Sequence, residues 1–264
     1  MDEATIQAHV RAINNCNQRG GRMLSLVDLI EAGTVDLPLA AYLAAAMCSG
    51  ASLLVGARPG GAGKTAVMCA LLNFLPGHTV IRAVDRWAVL EKGQRDDKPG
   101  HTCYLAHEIG AGSYYAYVWG SEARAFFGLV ADGHIIVSNL HADTLEETRD
   151  QLCRENGVAR AHLDAVTLKI FLQIKRTAGW SMRRWVGCVY ESDGRGDRLL
   201  WTKDESGKFV RHEPFESGVV SQEREAVYTK LLVNLMRQGT RHIDDVRRAL
   251  VRAEWTWERK NRLG

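Results

Sequence analysis

Residues 52–75 constrain the fold more than any other stretch of the 264-residue chain. Ser52-Leu53-Leu54-Val55 is a short apolar run that ends in glycine and reads as a buried parallel strand. Arg58-Pro59-Gly60-Gly61-Ala62-Gly63-Lys64-Thr65 follows, then AVMCALLNFL, an apolar helix stopped at Pro76-Gly77. Strand, glycine loop and helix in that order form the first half of a βαβ unit. Glycines at the start of a helix free backbone amides to point at one spot, and the helix dipole adds positive potential there, so the segment is suited to hold phosphate. The loop Gly60, Gly61, Ala62, Gly63, Lys64, Thr65 and Ala66 is the expected cradle: Lys64 reaches the β- and γ-phosphates, and the Thr65 hydroxyl is placed to bind magnesium. The pattern departs from G-x-x-x-x-G-K-[ST] at its first position, where Arg58 stands; Gly56, two residues earlier, is the expected substitute.

The rest of the chain extends this α/β reading. Asp36 caps a helix DLPLAAYLAAAMC with an early Pro38. Thr79 to Val84 reads as a second core strand ending at Asp85, and residues 91–100, EKGQRDDKPG, as a polar loop. TCYLAHE and YYAYVW are strand-like, SEARAFFGLVA is helical, and HIIVSNL is a buried strand ending at His141. Thr144 and Glu147 form a capping box for the helix TLEETRDQLCREN, which Gly157 terminates. From Leu168 the period becomes two: LKIFLQIKR, MRRWVGCVYE, DRLLWTKD and KFVRHE, separated by Ala178-Gly179, Asp193-Gly194-Arg195-Gly196 and Ser206-Gly207, make an antiparallel meander. Two helices, about 221–238 and 242–260, close the chain on either side of Gly239.

Composition excludes several classes. A net charge of +3 gives no support to a nucleic-acid or membrane-surface protein, and the basic last helix is the only feature that favours nucleic acid. No run approaches the roughly 18–20 apolar residues of a bilayer span, and the start lacks the order of a secretory signal, so a cytoplasmic protein is expected. The six cysteines form no C-x-x-C pair and are expected to be buried packing residues.

Three separated segments resemble the secretion ATPase superfamily, the motors of type II and type IV secretion, of tight-adherence pili and of pilus retraction. They are the approach and loop SLVDLIEAGTVDLPLAAYLAAAMCSGASLLVGARPGGAGKT, the segment GSEARAFFGLVADGHIIVSNLHADTLEETRDQL, which is similar to the family's histidine box, and the strands LKIFLQIKRTAGWSMRRWVGCVYES. The resemblance implies a RecA-like P-loop core of mostly parallel sheet with an antiparallel extension and a helical carboxyl end. It implies ATP and Mg2+ as cofactors, self-association into a ring, a hexamer by family, and a membrane platform or secretion-apparatus partner at the cytoplasmic face of the inner membrane. The expected division is a helical segment or linker at 1–50, the core with its extension at 51–220, and a helical subdomain at 221–264.

Carried over residue by residue, the resemblance gives Lys64 and Thr65 the phosphate and magnesium roles, His141 a γ-phosphate sensing or coupling role, and Asp85 the place of the acidic box. The family's hydrolytic glutamate falls on Tyr117. Glu108, in YLAHEI, is the nearest acid and serves only if residues are inserted between them; the preferred alignment matches HTCYLAHEIG to an earlier strand and leaves the chain without that glutamate. The family's own amino-terminal domain does not fit in the roughly 50 residues before the loop, so its phosphate-facing arginines are expected to be missing; Arg58, Arg82, Arg86 and Arg124 are speculative stand-ins, for each of which a solvated surface position is the commoner reading. Two readings follow: a motor ATPase, or a hydrolysis-deficient regulatory or structural subunit descended from one.

Overall fold

The computed structural model describes residues 3–17, 20–95, 97–177, 181–212 and 217–263. Its centre is a sheet built from β1 (Leu53–Gly56), β2 (Val80–Ala83), β3 (Thr102–Ile109), β4 (Tyr117–Val118), β5 (Ile135–Leu140), β6 (Leu168–Arg176), β7 (Met182–Ser192), β8 (Asp197–Lys203) and β9 (Phe209–Arg211). The order is β2-β3-β5-β1-β6-β7-β8-β9, with β4 beside β3. Pairing is parallel from β2 through β6 and antiparallel from β6 through β9. The strand β6 therefore joins the two halves, bonded to β1 on one side and β7 on the other.

Alternate residues of the parallel strands serve opposite faces. Leu53, Val55, Cys103, Leu105, Ile135 and Val137 pack into one apolar cluster, together with α1 (Glu3–Asn14), α2 (Leu26–Glu31), α3 (Leu37–Cys48), α4 (Lys64–Leu72), α9 (Gln222–Arg237) and α10 (Ile243–Leu263). Leu54, Tyr104, Ala106, Ile136 and Leu140 point the other way, onto α6 (Ser121–Ala131) and its neighbours. Helix α3 is buried on nearly every side, which explains its run of alanine and leucine; Asp36 caps it by accepting from the Leu39 amide at 3.0 Å. Of the six free cysteines, Cys16, Cys48, Cys69 and Cys103 are buried and Cys153 and Cys188 half-buried. Among the described residues no helix is long and apolar enough to cross a membrane.

Several local expectations are corrected. The strand β2 is not a core strand but the sheet edge, with Val80 52% exposed. Residues 87–95 form α5 (Trp87–Arg95), so the first half of the expected polar loop is helical; Asp96 lies outside the described residues. YYAYVW contributes only the two-residue β4, because the chain turns at Ala116 with φ +53°. The helix after Thr144 is α7 (Leu145–Arg149), continued by a π-helical turn, Asp150–Glu155, with Gly157 at φ +69°. The Gln151 side chain on that turn donates to the Ile109 carbonyl at 3.0 Å and so ties it to the end of β3. The turn expected at Ala178-Gly179 lies outside the described residues, while the other hairpin turns and the break at Gly239, φ +65°, fall where expected.

Candidate phosphate-binding site

Strands β1, β5 and β3 finish level: Gly56 is in register with Leu140, and Leu140 with Ile109. In open α/β sheets the crevice beyond the carboxyl ends of such strands is where ligands bind. Here it is a cavity of about 500 Å³, with Pro59 to Ala66 along one wall. The loop turns on Gly61, φ +78°, and Gly63, φ +97°, conformations that disfavour any side chain. Gly63 is the N-cap of α4 and supplies no side-chain acceptor, so the first-turn amides are left for a ligand.

Arg58 has a structural reason for standing at the first loop position. Its amide donates to Asp143 Oδ1 at 2.8 Å and its Nη1 lies 3.2 Å from Glu147 Oε1, which binds the loop entrance to the segment after His141. Half of the expected capping box is present: the Glu147 amide donates to Thr144 Oγ1 at 3.2 Å, while the Glu147 carboxylate accepts from the Asp143 amide at 2.7 Å. Gly56 does not replace a loop glycine. A Cβ there would meet the Ala142 carbonyl oxygen at 2.5 Å and the Phe171 ring at 2.7 Å, so Gly56 is needed for the close packing of β1 against its neighbours.

Lys64 opens α4 with its side chain buried. Its Nζ donates to the Ala57 carbonyl at 3.0 Å, lies 3.4 Å from His141 Nδ1 and 3.5 Å from Glu108 Oε1. His141 Nε2 is 3.8 Å from the same carboxylate oxygen, which accepts no hydrogen bond from any described residue. An irregularity in the β3–β5 ladder between Ala106 and Ile109 sits where Glu108 leaves the strand, the kind of break that re-aims a side chain. Burial raises the Glu108 pKa against the pull of Lys64 and His141, and burial lowers that of Lys64 against the pull of Glu108.

The structure thus brings together Lys64, Glu108, His141 and the loop. The expectation that no acid stands at this point does not hold: β3 lies one strand away from β1, across β5, and brings Glu108 to the cavity. Tyr117 is in register with Glu108 on the neighbouring β4. Thr65 is the second residue of α4; its Oγ1 is 3.5 Å from Asn139 Nδ2, which also donates to the His107 carbonyl at 2.9 Å. Asp85 is not brought in. It follows the edge strand β2, half-exposed, with Arg86 at 3.8 Å. Of the expected stand-in arginines, Arg58 is bound to Glu147, Arg82 faces Asp97 at 3.2 Å, Arg86 faces Asp85, and Arg124 donates to the Asn156 carbonyl.

Sequence reasoning missed His107, Asn139, Arg184 and, ahead of α2, Asn17 and Arg22. All but Asn139 line the cavity. His107 is buried, its ring stacked on Tyr117 at 5.9 Å between centroids, and neither ring nitrogen has a hydrogen-bond partner among the described residues. Burial and the Lys64 charge lower its pKa. The adjacency of His107 to Glu108 in sequence was a usable signal; Arg184 offered none, since its place depends on strand register.

No family model matches the chain, and no curated protein matches it. Solved structures similar to it include two ATPases. One is the VirB11 ATPase from the Brucella suis type IV secretion system in complex with sulphate, at 20% identity over 63% of this chain, with a TM-score of 0.43. The other is the Legionella pneumophila ATPase DotB, at 11% identity over 83% of this chain, with a TM-score of 0.41. The matches span 54% and 59% of those two chains, respectively.

Proposed function

We propose that the chain is an ATP-binding P-loop ATPase of the secretion-motor kind, which couples nucleotide binding and hydrolysis to protein export or pilus assembly. The observation that carries the reading is the convergence of Lys64, Glu108 and His141 on the mouth of a glycine loop whose helix has no side-chain cap at its N-cap residue, Gly63. In the nucleotide-bound state Lys64 leaves the Ala57 carbonyl for the phosphate chain, and Glu108 loses its neighbouring cation. Glu108 then orients a water toward the γ-phosphorus. The water's proton passes to the carboxylate as the new P–O bond forms and the bond to the ADP oxygen breaks, a reaction that needs positioning and charge stabilisation more than covalent help. The carboxylate must be ionised for this, so its burial moves the acidic limb of the rate profile above the ordinary glutamate range.

A magnesium ion fits the residues present. The Thr65 hydroxyl and the Glu108 carboxylate both line the cavity and are hard oxygen donors of the type it takes, and when bound beside phosphate oxygens it would supply charge neutralisation. Ring assembly, attachment to a membrane platform and a cytoplasmic location belong to the same proposal and are supported by the sequence resemblance alone.

The test is an equilibrium titration with a fluorescent ATP analogue and magnesium, beside phosphate release. Lys64→Ala is expected to abolish both. Glu108→Gln is expected to bind within a few-fold of the wild type and to lose roughly 10²–10⁴-fold in turnover, the usual size of a general-base effect. Binding without wild-type turnover would assign the chain to the hydrolysis-deficient subunit reading. Wild-type protein that binds no nucleotide overturns both.

A further inference from the structure

Three lysine and arginine side chains line the cavity: Arg22, Lys64 and Arg184. Two of them already face carboxylates. Arg22 donates from Nη1 and Nη2 to Asp28 at 2.8 and 2.7 Å and also to the Arg241 carbonyl, and Lys64 and His141 share Glu108. Arg184 meets no carboxylate among the described residues. Its Nε donates to the Gly61 carbonyl at 2.6 Å, its Nη1 to the Met182 carbonyl at 3.3 Å, and its Cδ lies 3.5 Å from where a Cβ on Gly63 would be. An exposed guanidinium with no counter-ion is therefore laid across the phosphate loop.

Strand register explains the position. The strand β6 pairs with β1 up to Gly56↔Phe171 and then runs on through Arg176 without a β1 partner. Arg184 on β7 is in register with Ile174, three residues beyond Phe171. At roughly 3.3 Å per residue this is about 10 Å past the end of β1, over the loop that β1 feeds. The same overhang puts Lys175 directly opposite Arg183, a like-charge pair that weakens a ladder when nothing compensates it. No acidic residue occurs between Asp164 and Glu191 in the sequence. Lys175, Arg183 and Arg184 thus have no carboxylate partner among the described residues, and Arg184 brings its charge to the cavity.

Resting on the nucleotide reading above, we propose that Arg184 contacts the phosphate chain of the bound nucleotide, so that the antiparallel extension supplies in cis a second cation beside Lys64. A guanidinium suits this role because its planar fork can give two hydrogen bonds to phosphate oxygens. Its bond to Gly61 holds it in place until an anion arrives.

The experiment compares wild type, Arg184→Ala, Arg184→Lys and Lys64→Ala in titrations with a fluorescent ATP analogue and in competition by inorganic tripolyphosphate, each with a thermal unfolding curve. Arg184→Ala is expected to weaken both ligands by about 10- to 100-fold, the usual range for lost hydrogen bonds to a charged group. Its unfolding temperature should stay at the wild-type value, and Arg184→Lys should recover part of the loss. If Arg184→Ala binds both ligands like the wild type while Lys64→Ala does not, Arg184 has no phosphate role and the nucleotide reading stands. If the affinity loss comes with a lowered unfolding temperature and lysine restores nothing, the residue is structural and the proposal fails. If the wild type binds neither ligand, both readings fall.

Discussion

At its amino end, α4 begins behind Gly63 with amides that no side chain caps, whereas at its carboxyl end side chains from two other helices close the carbonyls. His9 on α1 lies with Nε2 3.1 Å from the Leu72 oxygen, and Arg247 on α10, fully buried, donates to the carbonyls of Asn73, Leu75 and Pro76. Asn73 Nδ2 returns a bond to the Ile243 carbonyl at 3.0 Å. Every helix leaves unpaired amides at one end and unpaired carbonyls at the other. The last carbonyls of α4 are met by the amides of residues 73–75 and by His9, and Arg247 closes the carbonyls that follow, while the first amides of α4 are kept for a ligand, so stability and binding are assigned to opposite ends of the helix.

The division breaks most visibly at Arg247. Arg247→Met would leave the buried carbonyls of Asn73 and Leu75 without the donor they have here, while the Pro76 carbonyl keeps the Thr79 amide at 3.0 Å, at about 1–3 kcal/mol for each buried group not reached by water. A loss of about 3–5 kcal/mol in total corresponds to roughly 10 °C in unfolding temperature for a chain of this size. Nucleotide affinity, measured at a temperature where the variant is folded, should stay within a few-fold of the wild type. A parallel collapse of affinity would show that the two ends of α4 are not independent.

His9 gives a smaller, pH-dependent effect. Burial first, and the Arg247 charge second, lower its pKa to about 3 from the ordinary 6.5. As pH falls below 6.5 the unfolded chain takes up a proton that the folded chain refuses. The contribution is thus fully present above 6.5 and is lost toward pH 3, at up to about 1.4 kcal/mol per pH unit. Urea unfolding at pH 7, 6 and 5 should show this slope in the wild type and a shallower one in His9→Gln. Equal slopes would mean that His9 is not held neutral.

The open end of α4 was legible in the sequence, because glycines between an apolar strand and an apolar helix leave little else for the segment to be. The α3 cap at Asp36 and the period-two strands from Leu168 were legible for the same reason: each is a local pattern. What was not legible depends on strand order. Glu108 becomes a site residue only because β5 lies between β1 and β3 and all three end level, and Asp85 drops out because β2 lies at the edge. Arg184 depends on how far β6 outruns β1. The sealed end was hidden too, since His9, Asn73 and Arg247 are far apart in sequence and none belongs to a motif.

The most direct test of the open end is a crystal structure with magnesium and a non-hydrolysable ATP analogue. The account predicts the phosphate chain on the amides of residues 60–66, with Lys64 moved off the Ala57 carbonyl and Glu108 facing the terminal phosphate. An analogue bound elsewhere, with Lys64 still held by Ala57 and the loop bare, would contradict it.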